Sequence, residues 1–221
     1  MIEKNFDKSQ PLLEDLMTVF KGQKDVSDLY YMYAECYYGN KDYLMSSHYF
    51  KNFQNLYPKN DKVETAAYLS AMSYYHLSNA ITLDQKDTKL SVDEFQIFAN
   101  KFPKSNYIND VNKHIDELRK KLEEKDFNNA FLYYKMGEYQ SSILAFSHIL
   151  DDFPETAHKE EIAFLTIKSH YLWAKNSVVN KQASRYNTSL SLCQVFNNTY
   201  PKSNYLSNVR KIKTAITKQL K

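Results

Sequence analysis

An aromatic residue followed directly by proline recurs along this chain and divides it into segments of similar length. The four pairs are Tyr57-Pro58, Phe102-Pro103, Phe153-Pro154 and Tyr200-Pro201. Their prolines are 45, 51 and 47 residues apart, and three pairs lie in the similar sequences YPKN, KFPKSNY and TYPKSNY. Such periods are typical of repeat proteins, in which each unit buries its apolar face against adjacent units.

Residues 126–154 contain one complete unit. Its first half has an apolar helical face at i, i+3, i+4 and i+7, formed by Phe127, Ala130, Phe131 and Tyr134. Gly137 is predicted to end this helix, because glycine adopts the left-handed conformation without steric cost. The second half carries another apolar stripe, formed by Tyr139, Ile143, Phe146, Ile149 and Leu150. The pattern predicts a helical hairpin that needs neighbours to bury both faces.

Matching hairpins precede the other prolines. First helices align as LYYMYAECYY from Leu29, AYLSAMSYYH from Ala67 and AFLTIKSHYL from Ala163. No glycine or proline interrupts residues 109–136, which predicts one long helix of roughly 40 Å at 1.5 Å per residue. The chain contains only 3 glycines and 5 prolines, which suits helices joined by short turns. We therefore predict an all-α solenoid of about ten helices.

The predicted organisation is a single superhelical domain over residues 1–221. It consists of a partial first repeat at 9–22, repeats at 27–58, 61–103, 108–154 and 157–201, and a C-terminal capping helix at 203–221. Asp61 and Glu64 are expected to form a capping box at the start of the second complete repeat. Because no charged and then apolar leader follows Met1, we expect no signal peptide in this sequence. The unpaired helix after Pro11 leads us to expect that the natural protein extends further toward its N-terminus.

Composition and motifs exclude several classes of function. A net charge of +3 is too close to neutrality to indicate bulk nucleic-acid binding. Phosphate-binding, dinucleotide-binding, zinc-protease and nucleophile-elbow motifs are all missing from the sequence. Cys36 and Cys193 are predicted to be buried thiols, and the six histidines are scattered without metal-ligand spacing. We expect no enzyme, no cofactor and no metal.

The hairpins resemble the tetratricopeptide repeat. The first helix of the first complete hairpin has Tyr30, Ala34 and Tyr37 at the aromatic, small and tyrosine positions. The second helix places a small, an aromatic and a proline residue at Ser46, Phe50 and Pro58. These units are longer than the usual 34 residues, with polar insertions at 79–89 and 176–185.

The sequence from Asp116 to Pro154, together with the FPKSNY closures, resembles the BamD family of outer-membrane assembly lipoproteins, most closely its Bacteroidetes branch. The similarity runs from about Pro11 to the end. It implies a lipid-anchored protein on the periplasmic face of the outer membrane, although the lipidated cysteine is absent from this chain. It also implies docking on the POTRA domains of the barrel component BamA, binding of unfolded outer-membrane proteins, and contact with other assembly lipoproteins.

Two surfaces are candidates for these contacts. Helical phase predicts a peptide-binding groove on the first helices of two repeats, formed by Tyr31, Glu35, Tyr38, Leu69, Ser73 and His76. Tyrosine suits such a groove because it offers apolar area and a hydroxyl at low entropic cost, but these tyrosines would equally serve to pack adjacent repeats. The resemblance places the POTRA contact in the C-terminal half, at Lys159, Glu160 and Glu161. The basic last helix is interpreted as a solvated end cap or as a docking surface.

Two other protein classes remain open. One is a periplasmic repeat protein of the Tol-associated cell-division coordinator type, which has similar closures but usually shorter units and an N-terminal coiled coil. The other is a cytosolic adaptor that clamps the C-terminal carboxylate of a chaperone. That clamp requires lysine, asparagine and arginine on the groove, whereas the sequence places tyrosine and glutamate there.

Overall fold

The computed structural model describes residues 6–20 and 26–220. These ranges form ten α-helices and no strand, which confirms the predicted fold class. The helices are α1 (Phe6–Val19), α2 (Val26–Gly39), α3 (Tyr43–Leu56), α4 (Val63–Leu77), α5 (Lys86–Lys101), α6 (Ile108–Met136), α7 (Tyr139–Asp152), α8 (Lys159–Lys175), α9 (Val179–Thr199) and α10 (Leu206–Gln219). No helix in the described ranges is both long enough and apolar enough to span a membrane.

The chain divides into two compact units, Met1–Leu122 and Glu123–Lys221. The long helix α6 contributes its first part to one unit and its last part to the other. Within the first unit, adjacent helices pack consecutively from α1 to α5, and within the second, α7 packs on α8 while α8, α9 and α10 pack on one another. A single superhelical domain with the repeat boundaries given above stays a prediction.

The second helix of every repeat uses the same packing positions. Eight and five residues before each proline lie the buried pairs Phe50 and Phe53, Phe95 and Phe98, Phe146 and Ile149, and Cys193 and Phe196. Twelve residues before each proline lies a fully buried serine, at Ser46, Ser91, Ser142 and Ser189. The hydroxyl groups of Ser91 and Ser189 donate to backbone carbonyls of the facing first helix, Ala71 O at 3.3 Å and Ile167 O at 3.1 Å. A small side chain at this position lets the two helices approach closely.

The residue two positions after each proline orders the turn into the next helix. These residues are Asn60, Ser105, Thr156 and Ser203, and each side-chain oxygen accepts a hydrogen bond of 2.9–3.0 Å from the backbone N–H two residues later. Three of them also bond to an earlier first helix: Asn60 to Ser27, Ser105 to Glu64 and Thr156 to Glu123. The segment after each proline is therefore a local turn, and at Asn60, Ser105 and Thr156 this turn also ties one repeat to the one before it.

The capping box predicted at Asp61 and Glu64 is wrong. Helix α4 begins after Lys62, which makes no side-chain cap, and the Glu64 carboxylate instead accepts a hydrogen bond from Ser105 Oγ at 2.6 Å. Because the N-cap is Lys62, one residue later than predicted, Asp61 and Glu64 are not at the positions that a capping box requires. The prediction for Gly137 is confirmed, since its φ is +84°.

Candidate functional site

Tyr31, predicted to face a groove, lies inside the first unit. Only 6% of it is exposed, and its ring makes edge contacts with Phe50 and Phe53 at 5.6 and 5.4 Å between centroids. The Lys62 ammonium lies 5.1 Å from its ring centroid. Burial, and secondly the nearby Glu35 carboxylate, raises the pKa of Tyr31 to about 12. The prediction that Tyr31 faces the groove is therefore wrong. Other helices pack on both sides of α2, so the position of a residue around this helix did not reveal whether it is exposed.

Ser73 is likewise buried, because its side chain lies where α4 meets α3. Its hydroxyl contacts Ser46 Oγ at 3.1 Å and donates to Leu69 O at 2.7 Å. The Leu69 side chain is half-buried against the same apolar cluster as Tyr31. Tyr31 and Ser73 hold the hairpins together and are removed from the set that an incoming peptide could touch, whereas Leu69 is partly exposed and its place on the groove stays a prediction.

Tyr38 and His76 do come together. Tyr38 Oη and His76 Nε2 are 3.1 Å apart across α2 and α4, and His76 is exposed. The Tyr43 ring stacks on His76 at 4.5 Å, and the Tyr75 ring lies edge-on at 5.8 Å from His76. His114 of α6 continues the line, 4.6 Å from Tyr75. We call Tyr38, Tyr43, His76, Tyr75 and His114 the aromatic row.

Three members of this row, Tyr43, Tyr75 and His114, were not predicted from the sequence. Tyr43 begins α3 and Tyr75 lies one residue before the predicted His76, so neither shares the helical phase that was used to choose groove residues. The Tyr75 hydroxyl donates to Glu117 at 3.2 Å. Burial, and secondly His114, lowers the pKa of His76. The row therefore presents aromatic ring edges, with hydroxyl and imidazole groups at its surface.

A separate apolar groove of about 430 Å³ lies between α1 and α2. Its lining is formed by Phe6, Ser9, Leu12, Leu13, Met32, Glu35 and Cys36. Leu12 is 63% exposed and Met32 is 49% exposed. The predicted residue Glu35 lies on this side of α2, on the groove wall, and does not join the aromatic row.

The residues predicted to dock a partner in the second unit lie around His158. Lys159 forms an exposed ion pair with Glu155 at 3.8 Å. His158 stacks on Phe127 at 4.2 Å and lies between two carboxylates, 3.5 Å from Glu124 and 3.7 Å from Glu161. Glu160 is partly exposed beside them and, with Glu161, contributes to a raised pKa at Tyr205, behind the larger effect of burial. The turn thus presents mainly negative groups around His158. We call His158, Phe127 and Glu124 the His158 cluster.

Stacked helical hairpins with aromatic and charged surfaces define this molecule as an all-α helical-repeat protein. A family described as "YfiO: Outer membrane lipoprotein" matches residues 1–184. The chain belongs to this family.

Two relatives are both described as "Outer membrane protein assembly factor BamD". The Rickettsia prowazekii (strain Madrid E) protein is 29% identical over 155 residues, covering 70% of this chain and 58% of that protein. The Caulobacter vibrioides protein is 25% identical over 118 residues, covering 53% of this chain and 39% of that protein. The matches thus span less than two thirds of either relative. The solved structure titled "TPR2AB-domain:pHSP90-complex of yeast Sti1" aligns with 96% of this chain and 92% of its own, at 12% identity and a TM-score of 0.43.

Proposed function

We propose that this protein is a non-enzymatic scaffold of outer-membrane β-barrel assembly. The observation that carries the proposal is the family match over residues 1–184, which includes both the aromatic row and the His158 cluster. Both relatives are described as assembly factors for outer membrane proteins. In this role the chain works on the periplasmic face of the outer membrane, docks on a barrel protein through its POTRA domains and receives unfolded barrel clients.

The test of the whole proposal is affinity purification of the tagged protein from bacterial membranes, followed by mass spectrometry. We expect a POTRA-bearing barrel protein in near-equal amount. Recovery of soluble partners without any barrel protein would overturn the assembly role and leave a repeat adaptor of another kind.

For client recognition we propose the aromatic row in place of the groove predicted from the sequence. Tyr38, Tyr43 and His76 expose ring edges together with hydrogen-bonding groups, a combination that suits a peptide with aromatic side chains and free backbone amides. Replacing Tyr31 would disturb the core, so it is unsuitable as a test of binding. We therefore choose Tyr43→Ala with His76→Ala.

The measurement is titration of a peptide with an aromatic C-terminal residue, derived from a barrel strand. Loss of two contact groups should weaken binding by roughly 30- to 1,000-fold, at about 1–2 kcal/mol for each contact removed. Tyr133→Ala is the matched control, because Tyr133 is 43% exposed and lies in the second unit. Equal affinities of the row variant and the control would remove the row from client recognition.

For partner docking we propose the His158 cluster together with Lys159, Glu160 and Glu161. Charge reversal at Lys159 and Glu161 should weaken co-purification with the barrel component, most clearly at low salt, since exposed charges act through a Debye length of about 10 Å at 0.1 M. Charge reversal at exposed Lys113 and Asp116 of α6 is the matched control. Recovery that is undiminished at every salt concentration would place the docking surface elsewhere.

A further inference from the structure

The near-neutral net charge conceals a strong asymmetry along the chain. Glu161 is the last acidic residue in the sequence. Residues 162–221 contain 10 lysines and arginines and no aspartate or glutamate, whereas residues 1–161 contain 19 basic and 26 acidic residues. The net positive charge of the chain therefore comes from residues 162–221, which include most of α8 and all of α9 and α10, within the second unit.

Helix α10 holds several of these cations in fixed positions. Val209 and Ile216 are fully buried, Val209 in the main apolar cluster of the second unit and Ile216 beside Tyr186 of α9. This packing turns the opposite side outward, with exposed cations at Arg210, Lys211 and Lys218, while Lys213 is exposed on the flank of the buried side. None of the four forms an ion pair with any residue in the described ranges. By contrast, Lys168 and Arg185 lie over aromatic rings of their own unit.

The outward side of α10 forms a shallow groove of about 550 Å³. It is lined by Ser207, Arg210, Lys211, Thr214, Ala215 and Lys218. These residues supply cations and hydroxyl donors along the 12 residues from Ser207 to Lys218, or roughly 16 Å of helix, but no large apolar side chain. Protein interfaces generally have an aromatic or aliphatic centre and are depleted in lysine. The chemistry of this surface fits a layer of anionic groups better than it fits a folded protein.

We propose that the outer face of α10 binds the anionic headgroups of a lipid bilayer. The family to which the chain belongs consists of outer membrane lipoproteins, so a bilayer surface is close to the working protein. Lysine and arginine near an anionic bilayer each contribute a modest electrostatic attraction. Such contacts would orient the second unit on the membrane. The inference is independent of the proposed assembly function, because it concerns lipid and neither a client nor a POTRA domain.

The test is co-sedimentation of residues 1–221 with vesicles of phosphatidylcholine alone or with about one third phosphatidylglycerol, at roughly 0.1 M salt. We expect binding to the anionic vesicles only, decreasing as salt is added. Arg210→Gln, Lys211→Gln and Lys218→Gln together should reduce the partition coefficient on the order of a hundredfold, from about fivefold for each cation. The matched control removes the same charge in the first unit, through Lys59→Gln, Lys104→Gln and Lys113→Gln.

Three outcomes would overturn the proposal. The first is equal loss of binding in the α10 variant and in its control, which would indicate only a general effect of net charge. The second is equal binding to neutral and anionic vesicles. The third is binding of a soluble glutamate-rich helical peptide that depends on the α10 cations, without any binding to vesicles, which would indicate an acidic protein partner. Far-UV circular dichroism of both variants verifies that the exposed substitutions leave the helices intact.

Discussion

The first unit contains 12 of the 19 tyrosines, and the second contains all of the 60-residue segment without acidic residues. Both units nevertheless have a buried serine, a pair of buried core residues and a capped turn at the same positions relative to proline. The shared positions build the hairpins, and the remaining positions are free to differ. The aromatic row and the cationic face of α10 occupy such positions, so the two units are expected to bind different kinds of partner.

The largest expected effect comes from removing a shared core residue in each unit. Phe50 and Phe146 are both fully buried eight residues before a proline. Phe50→Ala and Phe146→Ala should each lower the free energy of unfolding by about 3–5 kcal/mol. Urea unfolding followed by far-UV circular dichroism and by fluorescence of Trp173, the single tryptophan, measures both changes. A loss below about 1 kcal/mol at only one of the two sites would break the equivalence of the repeats.

The capped turns after the prolines are expected to contribute different amounts to the free energy of unfolding. The hydroxyl groups of Thr156 and Ser105 both cap a turn and bond to a carboxylate, whereas Ser203 is seen only capping its turn. Removing the hydroxyl by Thr156→Val or Ser105→Ala should cost about 2 kcal/mol, and Ser203→Ala about 1 kcal/mol. Thermal unfolding of the three variants tests this order. Equal losses would mean that the carboxylate contacts add nothing to stability.

These turns illustrate what could be predicted from the sequence and what could not. Aromatic-proline spacing and helical periodicity report on local chain direction and on burial, so the all-α fold and the buried pairs such as Phe50 and Phe53 were predictable. Whether Ser105 would bond to Glu64 depends on two residues that are 41 positions apart, and one sequence contains no signal for such a contact. The same holds for the aromatic row, because stacking of Tyr43 on His76 depends on how α3 and α4 meet.

The raised pKa of Tyr31 predicts how the stability of the first unit changes at alkaline pH. Its folded-state pKa of about 12 exceeds the ordinary tyrosine value of about 10. Between these values the unfolded chain loses the phenolic proton while the folded protein retains it, so stability is full below pH 10 and falls as the pH rises toward 12. Tyr31→Phe should reduce this fall by on the order of 1 kcal/mol at pH 11. Urea unfolding at pH 9, 10 and 11 measures the slope, and identical slopes for wild type and variant would contradict the assignment.

The smallest effect is expected at the exposed pair Lys159 and Glu155, where the glutamate side chain is 97% exposed. Solvent and salt screen such a pair, so Lys159→Ala should change the free energy of unfolding by less than about 0.5 kcal/mol. Glu161→Gln removes a carboxylate that lies beside His158, itself stacked on Phe127, and should cost slightly more. Thermal unfolding at low and high salt separates the two, because the loss in Lys159→Ala should vanish at high salt. If Lys159→Ala leaves the free energy of unfolding unchanged yet lowers recovery of the barrel component, the lysine acts at an interface. A large loss of stability would instead mean that this turn contributes to the packing of the second unit.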